Sequence, residues 1–203
     1  MIFNEYQVRA LLDGSMTQTR RPIKWRQTRF TEIGERDDGS NWPWSEDCEN
    51  CSDYWHPCPF GEVGDRLWVR ETYGDCGVRL VYRADSDDGA ACMVKHWSPS
   101  IHMLRRDSRI TLEIISVRVE RLQDADESQL LDDLGAMLEY DDTLAGRAFS
   151  HAEHYAIAGV PIGLCPEMHG FKAWWDKSNG AGSFDANPWV WVIEFKRVEG
   201  GAA

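Results

Sequence analysis

The chain lacks a long apolar run, and it lacks an apolar segment behind basic residues near its first residue. No stretch approaches the roughly 18 consecutive apolar residues that a membrane-spanning helix needs. The start of the chain does not have the pattern of a secretory signal peptide. We therefore expect a protein with no membrane partner that is located in the cytoplasm.

Basic residues are also scarce. The 203 residues include 22 Lys and Arg against 34 Asp and Glu, so the formal net charge is −12. This balance argues against a protein that coats nucleic acid indiscriminately. The acidic net charge does not exclude a local basic cleft, because salt screens charges beyond about 8–10 Å. The length predicts a single domain over residues 1–203.

Six cysteines occur, and in the absence of an export signal a disulfide framework is the less expected use for them. Cys48 and Cys51 have the two-residue gap of a zinc knuckle, and His56 and Cys58 follow closely enough to complete four ligands. Two interpretations are open: a structural zinc ion at these residues, or reduced thiols in a surface loop. No other cofactor is indicated.

Local patterns predict three helices. The segment NEYQVRALL at residues 4–12 is amphipathic, with Asn4 as its N-cap and Gly14 as its end. The segment DADESQLLDDLGAML has acidic residues in its first turn, where the helix dipole favours them, and Asp124 or Asp126 can cap it. The segment GFKAWWDKSNG groups its aromatic residues at helical spacing.

Four segments predict strands. DRLWVRETY and VRLVYRA are rich in strand-forming residues and can pair as a hairpin. SRITLEIISVRVERL alternates, but its phase slips between Ile114 and Ser116, which predicts a bulge. PWVWVIEFKRV is almost continuously apolar, which is typical of a strand buried on both faces. Residues of about 25–58 and 140–168 are expected to be insertions, with a long loop from residue 32.

Four aromatic residues lie within the first of these insertions: Trp42, Trp44, Tyr54 and Trp55. Aromatic rings on a surface segment can stack on bases. They can equally fold back over the domain as a small additional core. The sequence leaves both interpretations open.

A basic segment with threonines, TQTRRPIK, follows the first helix. Thr17 and Thr19 lie two residues apart, so in an extended segment their side chains face the same side. Arg20 and Arg21 can bind phosphate bidentately. From the residues alone, contact with a ligand and pairing with surface carboxylates are both open.

Four segments occur in an order that resembles a known family: LLDGSMTQTRRP, CPFGEVGDRLWVRETY, WSPSIHMLRRDSRITLEIISVRVERLQD and WWDKSNGAGSFDANPWVWVIEFKRV. Together they resemble the ASCH domain group of the PUA-like superfamily, in its bacteriophage and prophage branch. The resemblance implies an α+β fold: a PUA-like small β-barrel flanked by short helices, with loop insertions. It also implies a cleft that receives RNA or a modified nucleoside, in the cytoplasm of a bacterial host.

In the resembled family, the segment after the first helix lines this cleft. The residues expected to bind the nucleic acid or nucleoside are Thr17, Thr19, Arg20, Arg21, Lys24, Trp68, Arg70 and Glu71.

Some ASCH-like proteins hydrolyse acylated cytidine with a Lys, a Thr and a Glu, and others are reported as ribonucleases. The Lys position corresponds here to Met16, which cannot act as a base, and the Thr position to Thr19. The Glu position corresponds to Asp132 or Asp133, whose side chains are one methylene shorter. We therefore expect little amidohydrolase activity. If the chain is a hydrolase of RNA or a modified nucleoside, the candidate catalytic residues are Thr19, Asp132 and Asp133. A third hypothesis is a phage factor that binds a host protein through its acidic surface.

Overall fold

The computed structural model of the chain describes residues 1–24, 32–47, 52–85 and 89–198. Across these ranges the fold is mixed α+β, and a curled antiparallel sheet forms about half of a barrel with short helices beside it. The expected fold class is confirmed at this level. None of the helices in the described ranges has the length and apolar character that crossing a bilayer requires.

The α-helices of the described ranges are α1 (Glu5–Asp13), α2 (Glu127–Leu134), α3 (Leu144–Ile157) and α4 (Pro166–Asn179). The strands are β1 (Gln18–Pro22), β2 (Glu32–Glu35), β3 (Asn41–Asp47), β4 (Ser52–Trp55), β5 (Arg66–Trp68), β6 (Tyr73–Asp75), β7 (Leu80–Tyr82), β8 (Trp97–Ser98), β9 (Thr111–Arg121) and β10 (Trp189–Arg197). They form three antiparallel sheets, with strand orders β1-β10-β9-β5, β2-β3-β4 and β7-β6-β8.

The predicted bulge in β9 is confirmed. Glu194 of β10 lies opposite Ser116, whereas the next residue, Phe195, lies opposite Ile114. Ile115 is therefore the extra residue, and its side chain is exposed. Such a bulge bends the strand and increases its twist, which curls the sheet. The predicted burial of β10 on both faces is also confirmed.

The helix caps form as the sequence predicts. The Asn4 side chain accepts a hydrogen bond from the backbone nitrogen of Gln7 at 2.9 Å, and the Gln7 side chain accepts one from the backbone nitrogen of Asn4 at 3.1 Å. Gly14 ends α1 with a φ of 82°, a conformation that glycine adopts without strain. Asp126, one of the two candidate caps, accepts from the backbone nitrogen of Gln129 at 2.9 Å.

The loop predicted from residue 32 is wrong in part, because the described residues of that segment form the β2-β3-β4 sheet. These strands are short and interrupted by Gly34 and Pro43, so they show no clear alternation, and pairing between the strands supplies the regular structure. The rest of the predicted insertion, residues 25–31 and 48–51, lies outside the described residues. In the second predicted insertion, α3 occupies the central part.

The predicted pairing of DRLWVRETY with VRLVYRA is also only partly right. The segment divides into β5, which pairs with β9, and β6, which pairs with β7 and β8. The division falls at Val69–Glu71. There, Val69 still donates to the Ile110 carbonyl at 3.0 Å, and the Glu71 carboxylate turns to Arg109.

Two apolar clusters lie on the two faces of the curled sheet. Trp191 and Ile193 of β10 belong to the cluster on the inner face, whereas Val190 and Val192 pack with α2 and α4 on the outer face. Residues that pair directly across β1 and β10 share a face. Thr19 and Arg21, opposite Ile193 and Trp191, therefore lie on the inner face, and Arg20, opposite Val192, lies on the outer face.

Candidate functional site

A cleft of about 1300 Å³ opens where the end of β1 meets β3, β4, β5 and the first residues of the chain. Its charged and aromatic lining includes Arg21, Lys24, Glu46, Tyr54, Phe60, Trp68 and Arg70. Segments that are far apart in the sequence supply these side chains, so the tertiary structure creates the cleft.

The Arg21 side chain projects from the inner face of β1 and lines this cleft. Its Nη2 donates to the carbonyl of Ile2 at 3.0 Å, and its guanidinium carbon lies 5.4 Å from the centroid of the Phe3 ring. Its Nε is buried and has no hydrogen-bond partner among the described residues. Burial lowers the pKa of Arg21 to about 10, so the group keeps its charge at neutral pH.

Arg70 approaches the same short segment from the other side. Its guanidinium carbon lies 4.4 Å from the centroid of the Trp68 ring, and its Nη1 donates to the Ile101 carbonyl at 3.4 Å. Ile2 and Arg70 form a parallel backbone bridge. The backbone of Ile2 pairs with the backbone of Arg70, and the Ile2 carbonyl accepts a hydrogen bond from the Arg21 side chain. Both arginines therefore lie at the end of the cleft where the chain begins.

Cations outnumber carboxylates in the described lining of the cleft, where Arg21, Lys24 and Arg70 face one carboxylate, Glu46. The α-amino group of Met1 donates to the Trp68 carbonyl at 2.6 Å, and its pKa is lowered to about 6, mainly by burial and then by the charges of Arg70 and Arg21. Lys24, exposed, adds a third cation to the lining. No described carboxylate forms an ion pair with Arg21, Lys24 or Arg70.

Aromatic and polar side chains of the β2-β3-β4 sheet form the opposite wall. The Tyr54 ring is 52% exposed and meets His56 edge to face at 4.8 Å between centroids. A hydrogen bond to Ser45 restrains the His56 ring, whose Nε2 lies 2.9 Å from the Ser45 hydroxyl. A ring so exposed beside cations can contact a base.

The sequence left two interpretations of the aromatic residues of this sheet, packing over the domain and stacking on a base, and different residues fit each one. Trp42 packs on the barrel, 5.0 Å from the Trp191 ring, and Arg36 lies over the Trp42 and Trp55 rings at 4.0 and 5.4 Å. Tyr54 instead lines the cleft.

Of the eight residues expected to bind a ligand, the structure brings four together in the cleft: Arg21, Lys24, Trp68 and Arg70. It places the other four elsewhere: Thr17, Thr19, Arg20 and Glu71.

Arg20 lies on the outer face of β1, with a guanidinium that is wholly buried. It forms ion pairs with Asp133 and, at 3.4 Å, with Glu120, and its Nη2 donates to the Gln129 side chain at 2.8 Å. Arg20, expected to contact phosphate, therefore lies outside the cleft and is paired within the fold. Alternation along β1 directs this side chain toward α2.

The two threonines are separated from the cleft in different ways. Thr19 is fully buried on the inner face, and its hydroxyl has no hydrogen-bond partner among the described residues. Thr17 is exposed, but it precedes β1 at the end opposite Lys24, where its backbone nitrogen donates to the Asp132 carbonyl at 3.1 Å.

Glu71 is buried in a separate charge network. Arg109 donates to its two carboxylate oxygens at 2.9 Å each and also pairs with Asp85 at 2.6 Å. Burial raises the pKa of Glu71, and Arg109 opposes that shift. Glu71, expected to contact a ligand, therefore lies outside the cleft, and both of its carboxylate oxygens accept hydrogen bonds from Arg109.

The candidate catalytic residues do not converge. Thr19 faces the inner cluster, whereas Asp133 is buried on α2, where it pairs with Arg20 on the other face of β1. Asp132 is half-buried on the same helix, and Met16 is 3% exposed in the inner cluster. This placement provides no acid–base arrangement for hydrolysis at these residues.

The metal prediction is only partly covered by the structure. Cys48 and Cys51 lie outside the described residues. Of the two remaining candidates, His56 contacts Ser45, and burial raises the pKa of the Cys58 thiol. A second group, Glu127, Cys165 and Glu167, has its ligand atoms within 4.8 Å of one another, but such exposed acidic groups are common without a metal.

Sequence reasoning missed Phe60, Ser45 and Trp191 as cleft residues. Phe60 lies in the turn PFGEVG, Ser45 in a strand read as a loop, and Trp191 in a strand without polar alternation. None of these segments carries a local signal for a binding site.

No family model, no curated protein and no solved structure matches this chain.

Proposed function

We propose that the protein is an ASCH-like member of the PUA-like superfamily, of phage or prophage origin, that binds single-stranded RNA or a modified nucleoside in this cleft. The ordered segments from LLDGSMTQTRRP to WWDKSNGAGSFDANPWVWVIEFKRV support the family. The curled half-barrel with flanking helices agrees with the small barrel that this family implies. The bacterial cytoplasm is the expected location.

One observation carries the proposal. In a protein of net charge −12, Arg21, Lys24 and Arg70 meet in one cleft beside aromatic rings, and no described carboxylate forms an ion pair with them. Surrounding carboxylates repel a nucleic-acid backbone elsewhere, so such a cleft is a single favoured docking position. Exposed aromatic rings add sequence-tolerant stacking.

The test is a titration of labelled single-stranded RNA, single-stranded DNA and duplex RNA. Affinity for single strands should fall between about 50 and 200 mM salt, by a slope of roughly 0.7 per phosphate contacted. Tyr54→Leu should weaken binding by about fivefold or more, because stacking contributes about 1–3 kcal/mol per base. Tyr155→Leu is the matched control, since Tyr155 is 41% exposed on α3, outside the cleft lining.

If no single strand and no nucleoside binds at low salt, the proposal fails. The hypothesis of a phage factor that uses its acidic surface to bind a host protein would then lead. A hydrolase is not favoured, because Thr19 and Asp133 lie on opposite faces of β1.

A further inference from the structure

We propose that Arg21 and Arg70 form a phosphate subsite, so that the ligand of the cleft is a nucleotide, free or within a strand, and not a neutral nucleoside. This inference rests on the proposed function and decides between its two ligand classes.

The first argument is the unused hydrogen-bonding capacity of Arg21. A guanidinium has five N–H donors. Those of Arg21 have one recorded acceptor, the Ile2 carbonyl, and the buried Nε has none among the described residues. The buried Nε is closed to a ligand, whereas Nη1 is not buried, has no acceptor among the described residues and can donate to an anionic oxygen in the cleft.

The second argument is that both guanidiniums are held before any ligand arrives. Arg70 lies 4.4 Å from the Trp68 ring centroid and reaches the Ile101 carbonyl, and Arg21 lies against Phe3. These contacts restrain the side chains without neutralising them. A restrained cation loses less conformational freedom when it binds an anion, and the planar fork of arginine matches the oxygens of a phosphate.

The third argument is the uncompensated charge. Arg21 and Arg70 line the same cleft, and the described part of the fold offers neither of them a carboxylate at ion-pair distance. Elsewhere the fold pairs arginines with carboxylates, as Arg20 with Asp133 and Arg109 with Glu71. A phosphate in the cleft would supply the anionic partner that these two arginines lack, which a neutral nucleoside cannot do.

The position of Lys24 predicts that a strand makes a contact in the cleft that a free nucleotide does not. It lines the same cleft but is exposed, whereas Arg21 is half-buried. It can therefore contact a second phosphate at the edge of the cleft, which only a strand supplies. A free nucleotide should depend on the two arginines alone.

The experiment compares cytidine with cytidine monophosphate, and the corresponding dinucleotide, by calorimetry on the full chain. Cytidine monophosphate should bind about tenfold or more tightly than cytidine, and inorganic phosphate should compete with it. Arg70→Gln should remove this preference, and Arg66→Gln, the same charge change at an exposed position of β5, should not. Lys24→Gln should weaken only the dinucleotide, with the exposed Lys95→Gln as its control.

Arg21→Gln should also remove the preference for cytidine monophosphate. Because Arg21 is half-buried, circular dichroism and thermal unfolding verify that this variant folds, and Arg70→Gln with phosphate competition decides the question if it does not. Equal affinities for cytidine and its monophosphate would overturn the phosphate subsite and leave the cleft itself standing. Failure of nucleosides, nucleotides and RNA alike to bind would instead overturn the proposed function.

Discussion

Arg20 of β1 and Asp133 of α2 form an ion pair in which the two side chains are 0% and 1% exposed. The next residue, Arg21, lies on the opposite face and lines the cleft. Two adjacent arginines of one motif therefore have different environments. The first connects the sheet to a helix, and the second remains available to a ligand.

Breaking the ion pair between Arg20 and Asp133 should destabilise the protein. Removing Arg20 leaves the buried Asp133 carboxylate without an ion-pair partner among the described residues, which typically costs about 3–5 kcal/mol, whereas removing Asp133 leaves Arg20 paired with Glu120 at 3.4 Å. Arg20→Met should therefore lower the free energy of unfolding by an amount in this range, and Asp133→Asn by a smaller amount, measured by urea denaturation. The double variant Arg20→Met with Asp133→Leu should recover part of the loss, because it removes both charges. A loss below about 1 kcal/mol in both single variants would contradict a structural role for the pair.

Replacing Met16 by lysine should destabilise the protein and should not create an amidohydrolase. Met16 is 3% exposed within the inner apolar cluster, so Met16→Lys would bury an ammonium group. Burial can lower a lysine pKa by about 3–5 units, and each unit corresponds to about 1.4 kcal/mol. We expect a loss of about 4 kcal/mol in thermal or urea unfolding.

The matched control is Met16→Leu, which should cost less than about 1.5 kcal/mol because the volume is nearly conserved. Acylated cytidine should be hydrolysed neither by the wild type nor by Met16→Lys. Hydrolysis gained by Met16→Lys would show that position 16 reaches the cleft after all.

The carboxylate of Asp176 should contribute a pH-dependent stabilisation. Its Oδ1 accepts from the backbone nitrogen of Phe184 at 2.8 Å and from the Ser183 hydroxyl at 3.1 Å, and these hydrogen bonds, the Phe184 one above all, lower the pKa of Asp176. A carboxyl group with a lowered folded-state pKa stabilises the fold above its ordinary pKa, and loses that contribution as pH falls through the lowered value.

Asp176→Asn keeps an acceptor oxygen but removes the charge. Its stability deficit should be fully present at neutral pH and should shrink as the pH falls below the ordinary pKa of an aspartate and through the lowered pKa of Asp176. Because solvent screens this surface group, a deficit of a few tenths of a kcal/mol is expected, roughly that of exposed charge interactions. Urea unfolding across this range measures the difference, and a deficit that stays constant with pH would contradict the assignment.

A structural zinc ion at Cys48, Cys51, His56 and Cys58 stays a prediction. The Ser45 hydroxyl lies at Nε2 of His56, so a metal would be bound through Nδ1 while Nε2 donates to Ser45. Protein purified without added metal should contain about one equivalent of zinc, and Cys58→Ser should lower that content and the thermal stability together. A zinc content below about a tenth of an equivalent in the wild type would exclude the site. Cys76→Ser, at a half-buried cysteine outside this group, serves as the control.

Several elements could be predicted because their causes lie within a few residues. The N-cap at Asn4, the helix end at Gly14 and the phase slip at Ile115 all depend on neighbours close in the sequence. The sheet at β2-β3-β4 could not be predicted from alternation, since pairing between its short strands holds it together. Half of the expected ligand-binding residues line the cleft, because adjacent residues of a strand such as Arg20 and Arg21 face opposite sides and the sequence does not show which side is open.

The amino-acid sequence alone determined the acidic charge, most of the local helices and strands, and the presence of a basic segment after the first helix. Only the tertiary structure decided which of its residues can meet a ligand. Whether an arginine is buried or available depends on what packs against its face of the strand: α2 brings Asp133 to Arg20, whereas Arg21 meets Ile2 and the open cleft. Those partners are more than 100 residues away in one case and about 20 in the other, and no local pattern encodes such contacts.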